Sequence, residues 1–315
     1  MNDSVYDVVI IGAGPAGLTA GIFAHNKNLK LHLVEGLKIG GQLKNLYPHK
    51  PVYNYPGHSR INAGDLSELM YGQIRENEIS VSENLAVSGI EAGNNGRLKV
   101  ITSQNTLTTH SVILACGMGL FQPRRLDVAG EDELENKSLF YTVEEPVHWE
   151  NKEAAVFGGG NSAVDNAMLL HEKGCRVTLV HQLTNFQAEA ASVKKLENST
   201  AEILTGWKTL VFGLKSDKIS ITLQHKESGE KKEILKDRAL VNIGIKPDLS
   251  FLKELDVAKN GRQIKVDTEM QTSIPGIFGC GDVVDYPGKV RLIVTAIGEA
   301  ATAVNSTERY LKTLK

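Results

Sequence analysis

Residues 8–17 read Val-Val-Ile-Ile-Gly-Ala-Gly-Pro-Ala-Gly and carry the strongest structural signal in the chain. The four apolar residues predict a buried strand, and the Gly-x-Gly-x-x-Gly pattern that follows predicts a tight turn into a helix. Gly12 permits the turn, Gly14 lets a pyrophosphate approach the backbone, and Gly17 lets the helix pack closely on the strand. The amides at the start of that helix would face the phosphates, so this stretch predicts a dinucleotide site.

The residues after this turn complete a βαβ unit. Residues 18–26 predict a helix and residues 31–34 a second buried strand. Glu35 ends that strand, where a carboxylate can accept hydrogen bonds from ribose hydroxyls. A glycine-rich turn without a ligand is the alternative. The strand, the helix and the terminal glutamate together argue against it.

A second copy of this strand–turn–helix pattern begins at residue 154. Residues 154–157 predict a strand, residues 161–173 an amphipathic helix and residues 175–180 the next strand. We expect this unit to bind NADP(H) or NAD(H) through the glycine-rich turn, whose candidate residues are Gly158, Gly160, Asn161, Ser162 and Ala163. Two dinucleotide sites in one chain predict an oxidoreductase that passes electrons from one cofactor to the other.

The end of the second unit's second strand departs from the usual pattern. An acidic residue there suits NADH because it binds the 2′-hydroxyl, whereas arginines suit NADPH because they pair with the 2′-phosphate. Residues 181–187 read His-Gln-Leu-Thr-Asn-Phe-Gln and supply neither. His181, Gln182 and Gln187 are the candidate contacts, and the glutamines would discriminate weakly. The alternative is a nucleotide domain that has lost specificity or affinity.

Composition narrows the function classes. The 315 residues allow two domains, and with 41% hydrophobic and 23% charged residues they describe a globular protein. The net charge of −2 gives no sign of nucleic-acid or membrane binding, and no apolar run approaches membrane-spanning length. Residues 1–5 lack signal-peptide features, so we expect a cytoplasmic protein. The three cysteines are far apart and the nine histidines form no metal-ligand pattern, so we expect buried thiols and no metal.

The order of motifs predicts how the domains are arranged. We expect an α/β protein with two Rossmann-like three-layer dinucleotide-binding domains, the second inserted in the first. Residues 1–117 and 245–315 would form the first domain, and residues 118–244 the second, with a β-ribbon over 208–224 and 231–241. The C-terminal part would end in a helix over 292–311.

Together these pieces resemble the thioredoxin-reductase-like flavoproteins, including their C-terminal Gly-x-Gly-Asp turn, here residues 279–282. The resemblance implies that the first glycine motif binds FAD and the second NAD(P)H, and that Asp282 hydrogen-bonds the ribityl chain of FAD. Thioredoxin reductases carry a redox Cys-x-x-Cys just before the second glycine motif. The matching residues 141–146 read Tyr-Thr-Val-Glu-Glu-Pro, so disulfide exchange cannot occur there.

Three other stretches are similar to the thioredoxin-reductase-like ferredoxin–NADP reductases of bacteria and archaea. They are residues 40–53, with Gly-Gly-Gln-Leu and Leu-Tyr-Pro, residues 121–126, and residues 285–305, with Tyr-Pro-Gly-Lys and Gly-Glu-Ala. The resemblance covers nearly the whole chain. It implies electron transfer between NAD(P)H and ferredoxin or flavodoxin through FAD, in a homodimer, with no side chain acting as acid or base in the hydride step.

The same resemblance implies roles for individual residues. Tyr47 would stack on the isoalloxazine ring, Asn54 would replace an aspartate that usually lies near the flavin, and the helix over 292–311 would point its positive end at the flavin. The implied FAD contacts are Gly12, Gly14, Pro15, Ala16, Gly17, Glu35, Gly41, Gln42, Leu43, Tyr47, Asn54, Val87, Phe121, Gly281, Asp282 and Ala300.

A basic rim would help an acidic ferredoxin to dock. The candidate side chains are Lys44, His49, Lys50, Arg124, Arg125, Lys289 and Arg291, although each can equally be an ordinary solvated charge.

Two other functions stay open from the sequence. One is an NADH-dependent diaphorase or flavin reductase with a small-molecule acceptor, which the missing arginines favour. The other is an FAD-binding protein without enzymatic activity.

Overall fold

The computed structural model describes residues 5–93, 96–143, 145–253 and 255–314. The chain forms two compact units. One contains Met1–Phe121 and Pro247–Lys315, and the other contains Gln122–Lys246. The sequence prediction places the two divisions at 117/118 and 244/245.

The described part of the first segment of unit 1 contains three α-helices and eight strands. The strands are β1 (Tyr6–Ile11), β2 (Leu31–Val34), β3 (Pro51–Val52), β4 (Ile61–Asn62), β5 (Val81–Ser82), β6 (Val87–Ala92), β7 (Leu98–Thr102) and β8 (Thr106–Leu114). The helices are α1 (Pro15–Asn26), α2 (Gly41–Asn45) and α3 (Ala63–Glu76). The chain then passes through β9 (Leu120–Pro123).

The described part of unit 2 follows with eight strands, three α-helices and a short 3-10 helix, Pro146–Trp149. Its strands are β10 (Leu139–Phe140), β11 (Glu153–Phe157), β12 (Arg176–His181), β13 (Glu202–Thr205), β14 (Trp207–Lys215), β15 (Lys218–His225), β16 (Lys231–Lys236) and β17 (Arg238–Val241). Its helices are α4 (Glu131–Leu134), α5 (Asn161–Glu172) and α6 (Ala190–Glu197).

The chain returns to unit 1 through β18 (Ile245–Asp248), which pairs with β9. The remaining elements are β19 (Lys259–Asn260), β20 (Gln263–Lys265), β21 (Ile277–Gly279), β22 (Val284–Asp285) and α7 (Ile293–Thr313).

The central sheet of unit 1 has the order β5-β2-β1-β8-β7-β6, and β21 also pairs with β8. Successive residues of β1 face opposite sides because strand side chains alternate. Val8 and Ile10 pack against the side that α1, α3 and α7 cover. Val9 and Ile11 pack against the opposite side, with Phe251 and the β19-β20-β22 sheet. Helices, sheet and the second β-layer make three layers.

Unit 2 repeats this plan. Its sheet has the order β10-β17-β11-β12-β13, with every pair parallel. Ala154 and Val156 face the helical side, while Ala155 and Phe157 face the antiparallel β14-β15-β16 sheet. The predicted fold class is confirmed. The predicted ribbon is wrong at its end, because residues 238–241 form β17 of the parallel sheet instead.

Candidate functional site

Unit 1 contains a groove at the carboxyl ends of β1, β2 and β8, where Ile11, Val34 and Ala115 form part of its wall. This is the edge at which open parallel sheets bind ligands. The free space, including the part open to solvent, is about 1120 Å³.

Most of the predicted FAD contacts line this groove. They are Gly12, Gly14, Pro15, Ala16, Glu35, Gly41, Gln42, Leu43, Tyr47, Val87, Phe121, Gly281 and Asp282. Residues from five separated parts of the sequence therefore meet in one place.

Two glycines of the groove lining, Gly12 and Gly41, leave no room for side chains. Gly12 has a φ of +104°, and a Cβ there would lie 2.5 Å from the carbonyl oxygen of Ala115. A Cβ on Gly41 would lie 2.8 Å from the Cα of Gly14. Helix α1 begins just after Gly14 without a side-chain cap. Its first amides are therefore available to an anion, as a pyrophosphate requires.

Glu35 lies at the end of β2 and is only 8% exposed. Its Oε2 accepts a hydrogen bond from the amide of Ala13 at 2.7 Å, and its Oε1 accepts one from the amide of Leu37 at 2.9 Å. Burial raises the pKa of Glu35, and these backbone bonds offset part of that shift. The carboxylate is thus fixed beside the glycine turn, where its remaining lone pairs can accept from ribose hydroxyls.

Three groove side chains form a hydrogen-bonded chain. The hydroxyl of Tyr47 donates to Oε1 of Gln42 at 3.1 Å, and Nε2 of Gln42 donates to Oδ2 of Asp282 at 3.2 Å. Burial and the nearby Asp282 carboxylate raise the pKa of Tyr47 to about 12, so the phenol stays protonated and keeps donating. The chain fixes an aromatic ring and a carboxylate relative to each other, which suits a flat ring system carrying a polyol.

Helix α7 begins at the groove. Arg291, Leu292, Ile293 and Ala296 all contribute to the lining. The helix is 21 residues long, and its N-terminal end is the positive end of its dipole. That end would stabilise negative charge on a bound group. These observations fit a flavin dinucleotide.

Three predicted FAD contacts do not line the groove. Gly17 lies behind the turn, where a Cβ would approach within 1.8 Å of the Gly12 carbonyl oxygen, so it serves the packing of α1. Asn54 is exposed on the surface between β3 and β4 and lies outside the groove. Ala300 lies one helical turn beyond Ala296 and is fully buried in the core.

The sequence reasoning missed several lining residues. The clearest set is Cys116, Gly117, Met118, Gly119 and Leu120. This segment directly follows β8, the strand beside β1, so its place at the carboxyl edge could have been inferred from the βαβ pattern. Phe251 gave no comparable local signal.

The predicted basic rim needs one correction. The Lys289 side chain is only 3% exposed and forms an ion pair with Glu299, so it cannot meet a partner protein. Arg125 pairs with Asp132 and Glu135. Arg124, Arg291 and Lys50 are exposed, Lys44 is 43% exposed, and His49 is half-buried.

The second glycine turn, in unit 2, has the same backbone plan as the first. Gly158 has a φ of +136°, and a Cβ there would lie 2.2 Å from the carbonyl oxygen of Asn242. Gly160 precedes α5, whose first residues Asn161 and Ser162 are exposed, while Ala163 is fully buried against the turn. The Oδ1 of Asn161 accepts from the amide of Glu189 at 2.8 Å.

The end of β12 is arranged differently from the end of β2. His181 is 5% exposed, and its ring lies so close to Gly159 that a Cβ there would come within 2.2 Å of it. Its Nε2 is 3.1 Å from the carbonyl oxygen of Asn185, so Nε2 carries the proton, and burial lowers the pKa of the ring. The ring stacks on Phe186. His181 is therefore a buried neutral group.

Gln182 and Gln187 lie on the surface beside it. Both are exposed, and Nε2 of Gln187 donates to the carbonyl oxygen of Asn185 at 2.9 Å. The amide of Gln187 donates to the carbonyl oxygen of Gly159 at 2.8 Å, which holds this loop against the glycine turn. No cationic side chain occurs in residues 182–188 to receive a 2′-phosphate.

The three cysteines are free thiols. Cys175 and Cys280 are buried, and burial raises the pKa of both. Cys116 lines the groove, and burial of its sulfur raises the pKa to about 12, so it stays protonated. Among the described residues no group of histidine, cysteine and acidic side chains is arranged to hold a metal ion. None of the helices in those same ranges has the length and apolarity that a bilayer crossing needs.

Comparison with known proteins agrees with this geometry. The sequence profile of the pyridine nucleotide-disulphide oxidoreductase family matches residues 6–300. The chain is 38% identical over 313 residues to a protein named ferredoxin–NADP reductase 2 from Bacillus thuringiensis (strain Al Hakam), covering 98% of this chain and 94% of that protein. It is 35% identical over 310 residues to one of the same name from Listeria monocytogenes serotype 4b (strain F2365), covering 98% and 93%.

Solved structures give the same fold. The thioredoxin reductase of Lactococcus lactis in its FR conformation superposes with a TM-score of 0.79 at 29% identity, covering 98% of this chain and 99% of that one. The thioredoxin reductase of T. acidophilum gives a TM-score of 0.79 at 25% identity, with the same coverage. The chain therefore belongs to the pyridine nucleotide-disulphide oxidoreductase family, as an FAD-dependent oxidoreductase of the thioredoxin-reductase-like ferredoxin–NADP reductase group.

Proposed function

We propose that the chain transfers electrons between a nicotinamide nucleotide bound by unit 2 and ferredoxin, through FAD held in the groove of unit 1. The groove that joins the glycine turn, Glu35 and the Tyr47–Gln42–Asp282 chain carries this proposal. The names of the relatives from Bacillus and Listeria support ferredoxin as the acceptor.

In this function the protein binds and orients, while the flavin supplies the redox chemistry by taking a hydride and releasing electrons one at a time. The first amides of α1 hold the pyrophosphate, and Glu35 holds the adenosine ribose. Asp282 orients the ribityl chain, and Tyr47 covers one ring face and excludes water from it. The N-terminal end of α7 offsets the negative charge that reduction places on the ring.

Electrons have to leave from the flavin itself. A dithiol relay needs two cysteines close together with one in its thiolate form. Residues 141–146 contain no cysteine, and the groove thiol of Cys116 is held protonated. Turnover with thioredoxin is therefore not expected.

A direct test uses the purified protein with bound FAD. Anaerobic titration with NADPH and with NADH should bleach the flavin absorbance, and a ferredoxin-coupled assay should then show turnover. A preparation that lacks FAD and takes up none when it is added would contradict the proposal, as would turnover with thioredoxin alone. Turnover with free flavin but not with ferredoxin would favour the diaphorase alternative.

Flavodoxin as a second acceptor, a homodimeric assembly and a cytoplasmic location belong to the same proposal. A flavodoxin-coupled assay and the mass in solution test the first two. Three free thiols and a nicotinamide donor are consistent with a reducing compartment.

A specific observation also supports a second candidate for the electron donor, NADH. The segment that follows β12 has no arginine or lysine through residue 188, and His181 is buried and neutral. We therefore propose that NADH competes with NADPH as the electron donor. Dissociation constants for the two nucleotides, measured on the oxidised protein, should differ by less than about tenfold. A preference for NADPH of a hundredfold or more would exclude this second candidate.

A further inference from the structure

Outside the groove lining, unit 1 contains a buried ion pair between Lys289 and Glu299. Their side chains are 3% and 4% exposed. Burying two charges costs solvation free energy, which only close pairing and further hydrogen bonds can offset. The groups that the Lys289–Glu299 pair holds in place indicate its role.

Glu299 binds three donors from two segments outside its own helix. Its Oε2 accepts from the amide of Gly281 at 2.7 Å, and its Oε1 accepts from the hydroxyl of Tyr286 at 2.6 Å and from Nζ of Lys289. Gly281 belongs to the turn after β21, Tyr286 and Lys289 to the loop that follows, and Glu299 to α7. The carboxylate therefore ties turn, loop and helix together.

This cluster of Gly281, Tyr286, Lys289 and Glu299 reaches the groove through Gly281. Gly281 and Asp282 line the groove, and Asp282 is the acceptor at the end of the Tyr47–Gln42 chain. Gly281 has a φ of +80°, and a Cβ there would lie 3.1 Å from the Cβ of Ala16, so the turn is seated closely against α1. Shifting the Gly281 amide would move the Asp282 carboxylate with it.

The same cluster also fixes the start of α7. Lys289 precedes Arg291 and Leu292, which line the groove just before the helix begins. Glu299 lies on the second turn of the same helix. The two ends of the ion pair thus flank the residues that bring the helix N-terminus to the groove.

We propose that Lys289 is a positioning residue of the flavin site: it balances the charge of Glu299, and Glu299 holds the Gly281–Asp282 turn and the N-terminus of α7 at the groove. This rests on the proposed function, because it takes the groove to hold FAD. Without Lys289 the buried carboxylate has no counter-charge. A buried charge without a partner is costly, so the carboxylate would move toward water, which weakens its bond to the Gly281 amide.

The test compares Lys289→Met with a matched control, Lys27→Met. Lys27 pairs with Glu308 on the same helix at 2.5 Å, with side chains 25% and 27% exposed, and neither residue lines the groove. The measurements are the FAD dissociation constant of the apoprotein, the midpoint potential of the bound flavin and the melting temperature.

Lys289→Met should weaken FAD binding by at least about tenfold and make the flavin potential more negative, because the Gly281–Asp282 turn and the positive end of α7 are no longer held at the groove. Lys27→Met should lower the melting temperature without changing either flavin property. Lys289→Met with unchanged FAD affinity and potential, and only a lower melting temperature, would overturn the proposal. A wild-type protein that binds no FAD would instead overturn the proposed function.

A second comparison remains decisive if Lys289→Met does not fold. Glu299→Gln leaves a buried lysine unpaired and should weaken FAD binding, whereas the double variant Lys289→Met/Glu299→Gln removes both charges and keeps an oxygen that can accept from Gly281. The double variant should bind FAD at least about fivefold more tightly than Glu299→Gln. Equal affinities for these two variants would show that the charges are not coupled at the flavin site, and the proposal would be wrong.

Discussion

The ends of β2 and β12 occupy equivalent places in the two units, yet they carry different chemistry. The amide of Gly12 donates to the carbonyl oxygen of Val34 at 2.8 Å, and the amide of Gly158 donates to that of Val180 at 3.0 Å. The next residue is Glu35 in unit 1 and His181 in unit 2. One backbone plan thus presents a fixed carboxylate in one unit and a buried neutral ring in the other.

This difference separates two kinds of constraint. Gly12, Gly17 and Gly158 are required by the close approach of backbone atoms, whatever ligand is bound, whereas a Cβ on Gly160 would meet open space. The residue at the strand end is constrained by the ligand's ribose, so it can change when the ligand or its specificity changes. A glycine motif alone therefore indicates a dinucleotide fold, and the strand end indicates which dinucleotide.

The largest effect should come from breaking the turn in unit 1. Gly17→Ala places a Cβ 1.8 Å from the Gly12 carbonyl oxygen, whereas Gly72→Ala adds a methyl group to open space in α3. We expect Gly17→Ala to destabilise the protein by about 3 kcal/mol or more and to abolish FAD binding. Gly72→Ala should be neutral or stabilising by up to about 1 kcal/mol. Thermal unfolding and FAD content measure both, and similar behaviour of the two variants would contradict the packing argument.

The strand-end carboxylate should have the next largest effect. Glu35→Gln keeps the shape but turns one acceptor into a donor facing a backbone amide. The FAD dissociation constant should rise by an amount equivalent to about 1.5–3 kcal/mol. His181→Gln, at the equivalent place in unit 2, should leave FAD binding unchanged. An equal loss in both variants, measured by quenching of flavin fluorescence, would mean that the two positions do not have separate roles.

Cationic side chains can be introduced after β12 of unit 2, where residues 182–188 contain none. Gln182→Arg/Gln187→Arg places two guanidinium groups at exposed positions after β12. The ratio of NADPH to NADH affinity should increase by about tenfold or more at low salt, and less at high salt because the phosphate contacts are screened. Thr200→Arg, at another exposed position of the same unit, is the control for added charge and should leave the ratio unchanged. Isothermal titration with both nucleotides measures it.

The smallest effect concerns pH. The pKa of His181 is lowered by burial, so its contribution to stability is full above the unfolded value of about 6.5 and is lost as the pH falls through the folded value. Both tryptophans, Trp149 and Trp207, belong to unit 2, so their fluorescence reports its unfolding by urea. Between pH 7 and pH 5 the wild type should lose more stability than His181→Gln. Parallel pH profiles would show that the ring does not titrate with unfolding.

Local patterns made most of the fold predictable. Continuous burial in β1 and β11 and the glycine turns after them depend on neighbours within about twenty residues, and these elements agree with the sequence predictions. The strand at 238–241 was assigned to a ribbon because its short apolar run has no local feature that distinguishes a parallel partner from an antiparallel one.

The site was predictable only where a motif spans it. The family resemblance implies flavin contacts for Asn54 and Ala300, but exposure of one and burial of the other depend on tertiary contacts. Lys289 looked like an ordinary surface charge because its partner, Glu299, lies ten residues away on a helix whose orientation the sequence does not give. The local sequence does not show which charged side chains will pair in the fold.

Because the Lys289 side chain is buried, its amine should react more slowly with reagents than the amines of exposed lysines. A reagent that acylates exposed lysines needs an uncharged, accessible amine, and the Lys289 ammonium is ion-paired and covered. Lysine labelling followed by mass spectrometry would therefore modify Lys44 and Lys50 while sparing Lys289 in the intact molecule. Acylation of Lys289 would mark molecules in which the turn beside the groove has opened. The acylated fraction of Lys289 would therefore measure the fraction of molecules with a disrupted site.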